Sequence, residues 1–222
     1  MRSPRTRPRR RVRWGWLITG VVALVAGALA ASVALPILLH EPQGSSGQAR
    51  VEGYPTSVEA TGDDGRTRTL SATGENGGAI DLAAVSEGDR IVVTGSGFTP
   101  NRGLYVAICA VPAQLDGRPG PCLGGVPDQT EEELEEGSVQ WAPSNWINDQ
   151  FAWRIFGARA FDDRDAGAFT AYLLVGPAAD DAVDCAAVEC GIYTRNDHTA
   201  TGDRVQDIYL PIAWDSAPAG AE

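Results

Sequence analysis

Residues 85–111 read VSEGDRIVVTGSGFTPNRGLYVAICAV, and the texture of this stretch decides the fold class. One apolar run, residues 90–95, is broken by Gly97, Pro100 and Asn101 before a second run, 103–109, begins. Both runs are strand-sized rather than helix-sized. In the second, Leu104, Val106 and Ile108 alternate onto one face, the period-two signature of a half-buried strand. Gly, Pro and Asn between them are the residues that close turns. The same texture extends outward in both directions. Further strands are expected at 67–71, 150–155, 169–175, 191–195 and 208–214, each bounded by Gly, Pro, Asn or Asp clusters. In the last of these, Ile208, Leu210, Ile212 and Trp214 share a face. Pro211 falls on the other face and cannot donate a ladder hydrogen bond, which assigns that strand to a sheet edge. Seven short strands with turn signals between them read as an all-β sandwich. The one helix expected within this region is 129–136, with Asp128 as N-cap, Glu131 in the capping-box position and Gly137 as its stop.

Charge is distributed as unevenly as hydropathy. All 18 basic residues are arginine, and seven of them precede Trp14 with no acid among them. The remaining eleven face 29 acids, so the chain is a basic tail on a body of formal charge −18. Such a body repels phosphate backbones, and no nucleic-acid partner is expected. Residues 14–39 contain no charged side chain, and they exceed the roughly 20 residues that cross a bilayer. Arginine on one side and acidic sequence on the other orient this helix with its N-terminus in the cytoplasm. Trp14 and Trp16 sit where an interfacial aromatic belt would lie. A signal peptide cut near Ala28-Leu29-Ala30 is the competing reading. It would leave the apolar sequence 32–39 exposed in water, which favours the uncut anchor. Residues 1–13 are then a cytoplasmic tail. Residues 40–66, rich in Gly, Pro, Ser and Asp, read as a flexible linker, 67–215 as the β-domain, and 216–222 as a disordered tail.

Four cysteines follow the apolar segment, on the side where disulfides persist. Three pairings are possible. The two local ones, Cys109 with Cys122 and Cys185 with Cys190, are favoured. Zinc is the alternative, but neither spacing forms a Cys-x-x-Cys knuckle and His198 is the only histidine nearby.

Residues 85–111, the cysteine that follows, and residues 183–214, VDCAAVECGIYTRNDHTATGDRVQDIYLPIAW, resemble the neocarzinostatin family of small secreted actinobacterial proteins. The arginine-only, Gly- and Ala-rich composition suits such a source. The resemblance implies a seven-stranded immunoglobulin-like sandwich with two local disulfides. It also implies a cleft beside one sheet, where the best-known members carry an enediyne antibiotic. It speaks to fold more than to function. Two positions depart from the carriers. Val111 stands where they place a cleft-lining aromatic, and Arg195 where they place a small hydroxyl residue. The segment between Cys122 and Phe169 is longer than in the carriers and holds Trp141, Trp146 and Trp153. The carriers also lack a membrane anchor.

The candidate binding residues are therefore Val111, Trp141, Trp146, Arg195 and His198. Exposed tryptophans are enriched at binding hot spots, although Trp141 and Trp146 could equally cap an open end of the sandwich. The loop Arg195-Asn196-Asp197-His198-Thr199 is dense in hydrogen-bonding groups, which in hairpins most often stabilise their own turn. Residues 131–136 read as a solvated acidic helix face, and Asp162-Asp163-Arg164-Asp165 lacks the spacing of a calcium loop. Gly95-Ser96-Gly97 is no nucleophile elbow. No phosphate-cradling loop occurs, no thiol is spared for catalysis, and no cofactor or metal is expected. The expectation is a non-catalytic, membrane-anchored extracellular module that binds an envelope partner. The alternative is a carrier for a hydrophobic small molecule. An anchored hydrolase centred on His198 comes third.

Overall fold

The computed structural model describes residues 14–124 and 139–215. The chain divides into two compact units, Met1–His40 and Glu41–Glu222. The first contains α1, Trp14–Leu38, whose apolar residues run round its whole circumference rather than along one stripe. The window Gly15–Ser32 is long and apolar enough to cross a membrane, and an N-terminal signal sequence would meet the same description. Two of its polar side chains are satisfied within the helix. Thr19 Oγ1 donates to the Gly15 carbonyl at 2.9 Å and Ser32 Oγ to that of Leu29 at 2.8 Å. A helix surrounded by hydrocarbon requires this internal pairing.

The second unit contains two antiparallel four-stranded sheets. One joins β1 (Ser57–Thr61), β2 (Thr67–Gly74), β3 (Arg90–Ser96) and β6 (Phe169–Leu174) in the order β1-β2-β3-β6. The other joins β4 (Leu104–Ala110), β5 (Ser144–Ile147), β7 (Cys190–Asn196) and β8 (Tyr209–Ile212) in the order β5-β4-β7-β8. One apolar cluster unites the facing sides, with Leu70, Ile91, Val93 and Leu173 from the first sheet and Leu104, Val106, Ile108, Ile192 and Leu210 from the second. Full burial of each such aliphatic side chain is worth about 1.5–3 kcal/mol. Phe98 meets Phe169 edge-on at 5.0 Å. Gly95 leaves room for that ring, since a Cβ there would lie 2.3 Å from it.

Six of the seven expected strands coincide with β2, β3, β4, β6, β7 and β8, and β8 occupies the edge that Pro211 implied. Three expectations are corrected. Residues 150–155 are not a strand. They hold the short helical turn α2, Phe151–Arg154, and the strand beside β4 is β5, a few residues earlier. The Asn145 side chain also ties β5 to the other sheet, donating to the Tyr172 carbonyl at 2.9 Å and accepting from its N–H at 3.1 Å. Residues 40–66 are not a free linker, because they include β1. The cluster Gly62-Asp63-Asp64-Gly65 closes the β1–β2 hairpin, with Gly65 at φ +74°. Buried Arg68 pairs with Asp64 across that hairpin at 2.6 Å. Gln48 caps the edge of β8. Its amide accepts from the Tyr209 N–H at 2.7 Å and donates to the Tyr209 carbonyl at 2.8 Å. The described strands accordingly number eight rather than seven. The expected helix 129–136 and the tail 216–222 lie outside the described residues.

Candidate functional site

Both local disulfides form, Cys109–Cys122 and Cys185–Cys190. The first pins a loop against the outer face of the β5-β4-β7-β8 sheet. Ala110 and Leu123 donate backbone bonds across its base at 2.9 Å each. The face beneath is built by alternation. Residues that point away from the core include Tyr105, Ala107 and Cys109 on β4 and Tyr193 and Arg195 on β7. Tyr193 stacks on its cross-strand partner Tyr209 at 4.8 Å, and Val51, Val111 and Leu115 pack against the pair. Burial, reinforced by the neighbouring Tyr209, raises the Tyr193 pKa.

Arg195 and Val111, two of the expected binding residues, both make contacts within the chain beside the first disulfide loop. Val111 is half-buried in the apolar cover. The Arg195 guanidinium lies 5.6 Å above the Tyr105 ring and donates to the Pro119 carbonyl at 3.4 Å. Burial, then nearby Arg118, push its pKa down. Asp207 follows along the same face, and burial lifts its pKa to about 7 although Arg204 pairs with it at 2.5 Å. Val111, Leu115 and Arg195 thus pack against the outer face of this sheet.

Beyond Arg195 the face turns aromatic. Trp146 opposes Tyr105 across β5 and β4, with ring centroids 6.0 Å apart. Its indole N–H donates at 2.9 Å to Asp197, a buried carboxylate that also accepts from Asn148 at 2.9 Å and from the Thr199 N–H and hydroxyl at 2.9 and 2.5 Å. Gly103 lets that carboxylate approach, since a Cβ there would lie 1.8 Å from an Asp197 oxygen. Asp197 thus holds the indole and its own loop rather than His198. The exposed ring of His198 stands edge-on to Trp153 at 4.7 Å and to Trp146 at 5.4 Å, and its Nδ1 meets the Tyr105 hydroxyl at 3.0 Å. Burial, then the Asp197 carboxylate, raise the Tyr105 pKa.

Trp153 belongs to α2, an excursion clipped to β5 at both ends. Asn148 donates to the Arg159 carbonyl at 2.7 Å and Arg159 to that of Trp146 at 2.8 Å. The excursion presents Phe151, Ile155 and Phe156 to solvent at 81%, 64% and 56% exposure. Trp141 is not part of this group. It stands edge-on to Tyr172 at 5.3 Å, with the Arg90 guanidinium 5.5 Å from its ring. Trp146 and His198 are thus brought together, with Arg195 beside them on Tyr105, while Trp141 packs against the other sheet. Sequence reasoning missed Phe151, Ile155 and Phe156. Their i, i+4, i+5 spacing suits one side of a helical turn, a signal hidden by reading the segment as a strand. Among the described residues no three His, Cys, Asp or Glu side chains gather as for a metal ion. No protein-family model, curated protein or solved structure matches the chain.

Proposed function

We propose that this chain is a membrane-anchored interaction module without catalytic function. In this reading the Arg-rich end is cytoplasmic and the disulfide-bonded unit, a divergent neocarzinostatin-like domain, stands outside and engages a partner in the cell envelope. The anchor is supported by a charge-free helix preceded only by arginines. The family reading is supported by the two local disulfides and by strand order. With β1 set aside, the remaining seven strands divide three and four between the two sheets, the fourth lying beside the third rather than with the first sheet as in the constant-type immunoglobulin order.

One observation carries the interaction reading. On the sheet face where the resemblance expects a ligand, Arg195, Val111 and Leu115 pack against the sheet, while Phe151, Ile155 and Phe156 project nearby beside Trp146, Trp153 and His198. A cluster of large apolar side chains held out beside an aromatic base is the kind of exposed apolar patch that marks a protein-interaction site. A carrier would need the opposite arrangement, an open cleft and a covered rim.

The test is a photo-reactive phenylalanine analogue at Phe156 in host cells. It should give one discrete adduct, and changing Phe151 and Ile155 to Ser in the same chain should abolish it. Absence of any adduct, together with a small molecule that co-purifies with the unit Glu41–Glu222 in native mass spectrometry, would establish the carrier reading instead.

A further inference from the structure

The exposed apolar turn shares one end of the second unit with the incoming chain. The turn follows the end of β5, and it is braced by His198, which stands in the loop between β7 and β8. The same loop receives the first residues of the unit. The Gly44 carbonyl accepts from the Arg204 N–H at 3.2 Å, and Ser45 pairs with Arg204 in a parallel bridge. Pro42 lies beside Gly202, where a Cβ would stand 3.9 Å from the proline ring. The β1–β2 hairpin closes on this entry from the other sheet. The Asp63 N–H donates to the Ser45 carbonyl at 3.0 Å, and the Asp63 carboxylate accepts from the Ser45 N–H at 2.7 Å.

Chain length then limits where this end can work. Leu39, His40 and Glu41 are the residues between the end of α1 and Pro42. An extended chain covers at most about 3.6 Å per residue, so the four steps from Leu38 to Pro42 reach about 14 Å. With α1 as a membrane anchor, that reach keeps the entry end close to the outer headgroups, whatever the angle at which the chain leaves the helix. The turn also carries a charge. Arg154 is exposed between Trp153 and Ile155 and pairs with no acid among the described residues. The body around it has a formal charge of −18, which opposes adsorption to an anionic lipid surface. Arg154 is a local exception, a guanidinium able to bond a carboxylate on an apolar partner.

We infer that the partner of the apolar turn is an integral membrane protein, which offers an apolar segment with a carboxylate just outside the bilayer. Phe151, Ile155 and Phe156 would cover the apolar side chains of that segment, and Arg154 would bond its carboxylate. This rests on the interaction reading and adds the class of the partner and the height of the contact. The test maps the adduct formed in host cells by the full chain with a photo-reactive phenylalanine analogue at Phe156. Mass spectrometry should place the cross-linked residue within about ten residues of a transmembrane segment of the partner, as the short tether requires. Arg154→Glu should lower the adduct yield about fivefold or more, and Arg154→Lys, which keeps the charge, should retain it. A cross-link to a second copy of this chain, to a protein that alkaline carbonate strips from membranes, or to a site far from the partner's membrane segment would overturn this inference while the interaction reading stands. A cross-link to lipid, or an Arg154→Glu yield equal to wild type, would overturn it as well. No adduct in any form would overturn the interaction reading and this inference with it.

Discussion

Arg195 ties together parts of the chain 76 residues apart, because its guanidinium bonds the Pro119 carbonyl while resting on Tyr105. The sequence showed a cation facing outward from β7. It could not show what that cation meets, since the loop that receives it lies 76 residues earlier in the chain. Replacing Arg195 by Ala removes a charge-assisted hydrogen bond and a partly buried cation–π contact, together worth about 1–3 kcal/mol. Urea denaturation should therefore give a lower midpoint for Arg195→Ala. An unchanged midpoint would return this residue to the list of free ligand-binding groups. Asp207 is a residue whose burial no motif announced. Its pKa of about 7 in the folded state stands above the ordinary value of roughly 3.9. Between about pH 4 and pH 7 the folded chain thus keeps a proton that the unfolded chain has released. The stability from this group is complete below about pH 4 and is lost as pH rises through about 7. In denaturation series from pH 4 to pH 8, wild type should lose stability relative to Asp207→Asn. Parallel pH profiles for the two would show that the carboxyl is unperturbed.

At the level of elements, alternation was a reliable guide wherever a strand has one face in the core. Leu104, Val106 and Ile108 point inward as their spacing requires, and so do Leu210 and Ile212. The failures share a cause. Gly, Pro, Ser and Asp serve tight turns and open linkers alike, so the β1–β2 hairpin read as linker. In residues 150–155 the apolar residues suit a strand locally, but the place beside β4 is held by β5. The hairpin is secured by an ion pair with no exposure on the arginine side, Arg68 to Asp64. Removing one member of such a pair leaves a charge stranded away from water and costs about 3–5 kcal/mol. Asp64→Ala should therefore destabilise the unit by that order in chemical denaturation. A loss below about 1 kcal/mol would mean that the hairpin contributes little to the fold, as a true linker would.

For the whole molecule, composition spoke plainly about the two ends and vaguely about the surface. Seven arginines before Trp14 and none of the 29 acids there are what the proposed orientation of the helix rests on. Neither charge nor hydropathy indicated that α2 would lift three apolar side chains into solvent, because that depends on Trp146, Trp153 and His198 meeting from three separate segments. Protease added to intact cells should digest the unit after Glu41 and spare the Arg-rich end. Recovery of a soluble form that begins near Ser32 would show a cleaved signal sequence instead.

The sheet borders have a consequence for copies fixed to one surface. Chains confined to two dimensions collide far more often than chains in bulk, and each raw strand border would be a template for lateral polymerisation. Here Gln48 occupies the Tyr209 backbone groups, Pro211 offers no N–H, and Asn145 turns the β5 border toward Tyr172. Two amide side chains and one imino acid thus blunt both borders of the β5-β4-β7-β8 sheet against pairing with a neighbour in the proposed anchored form.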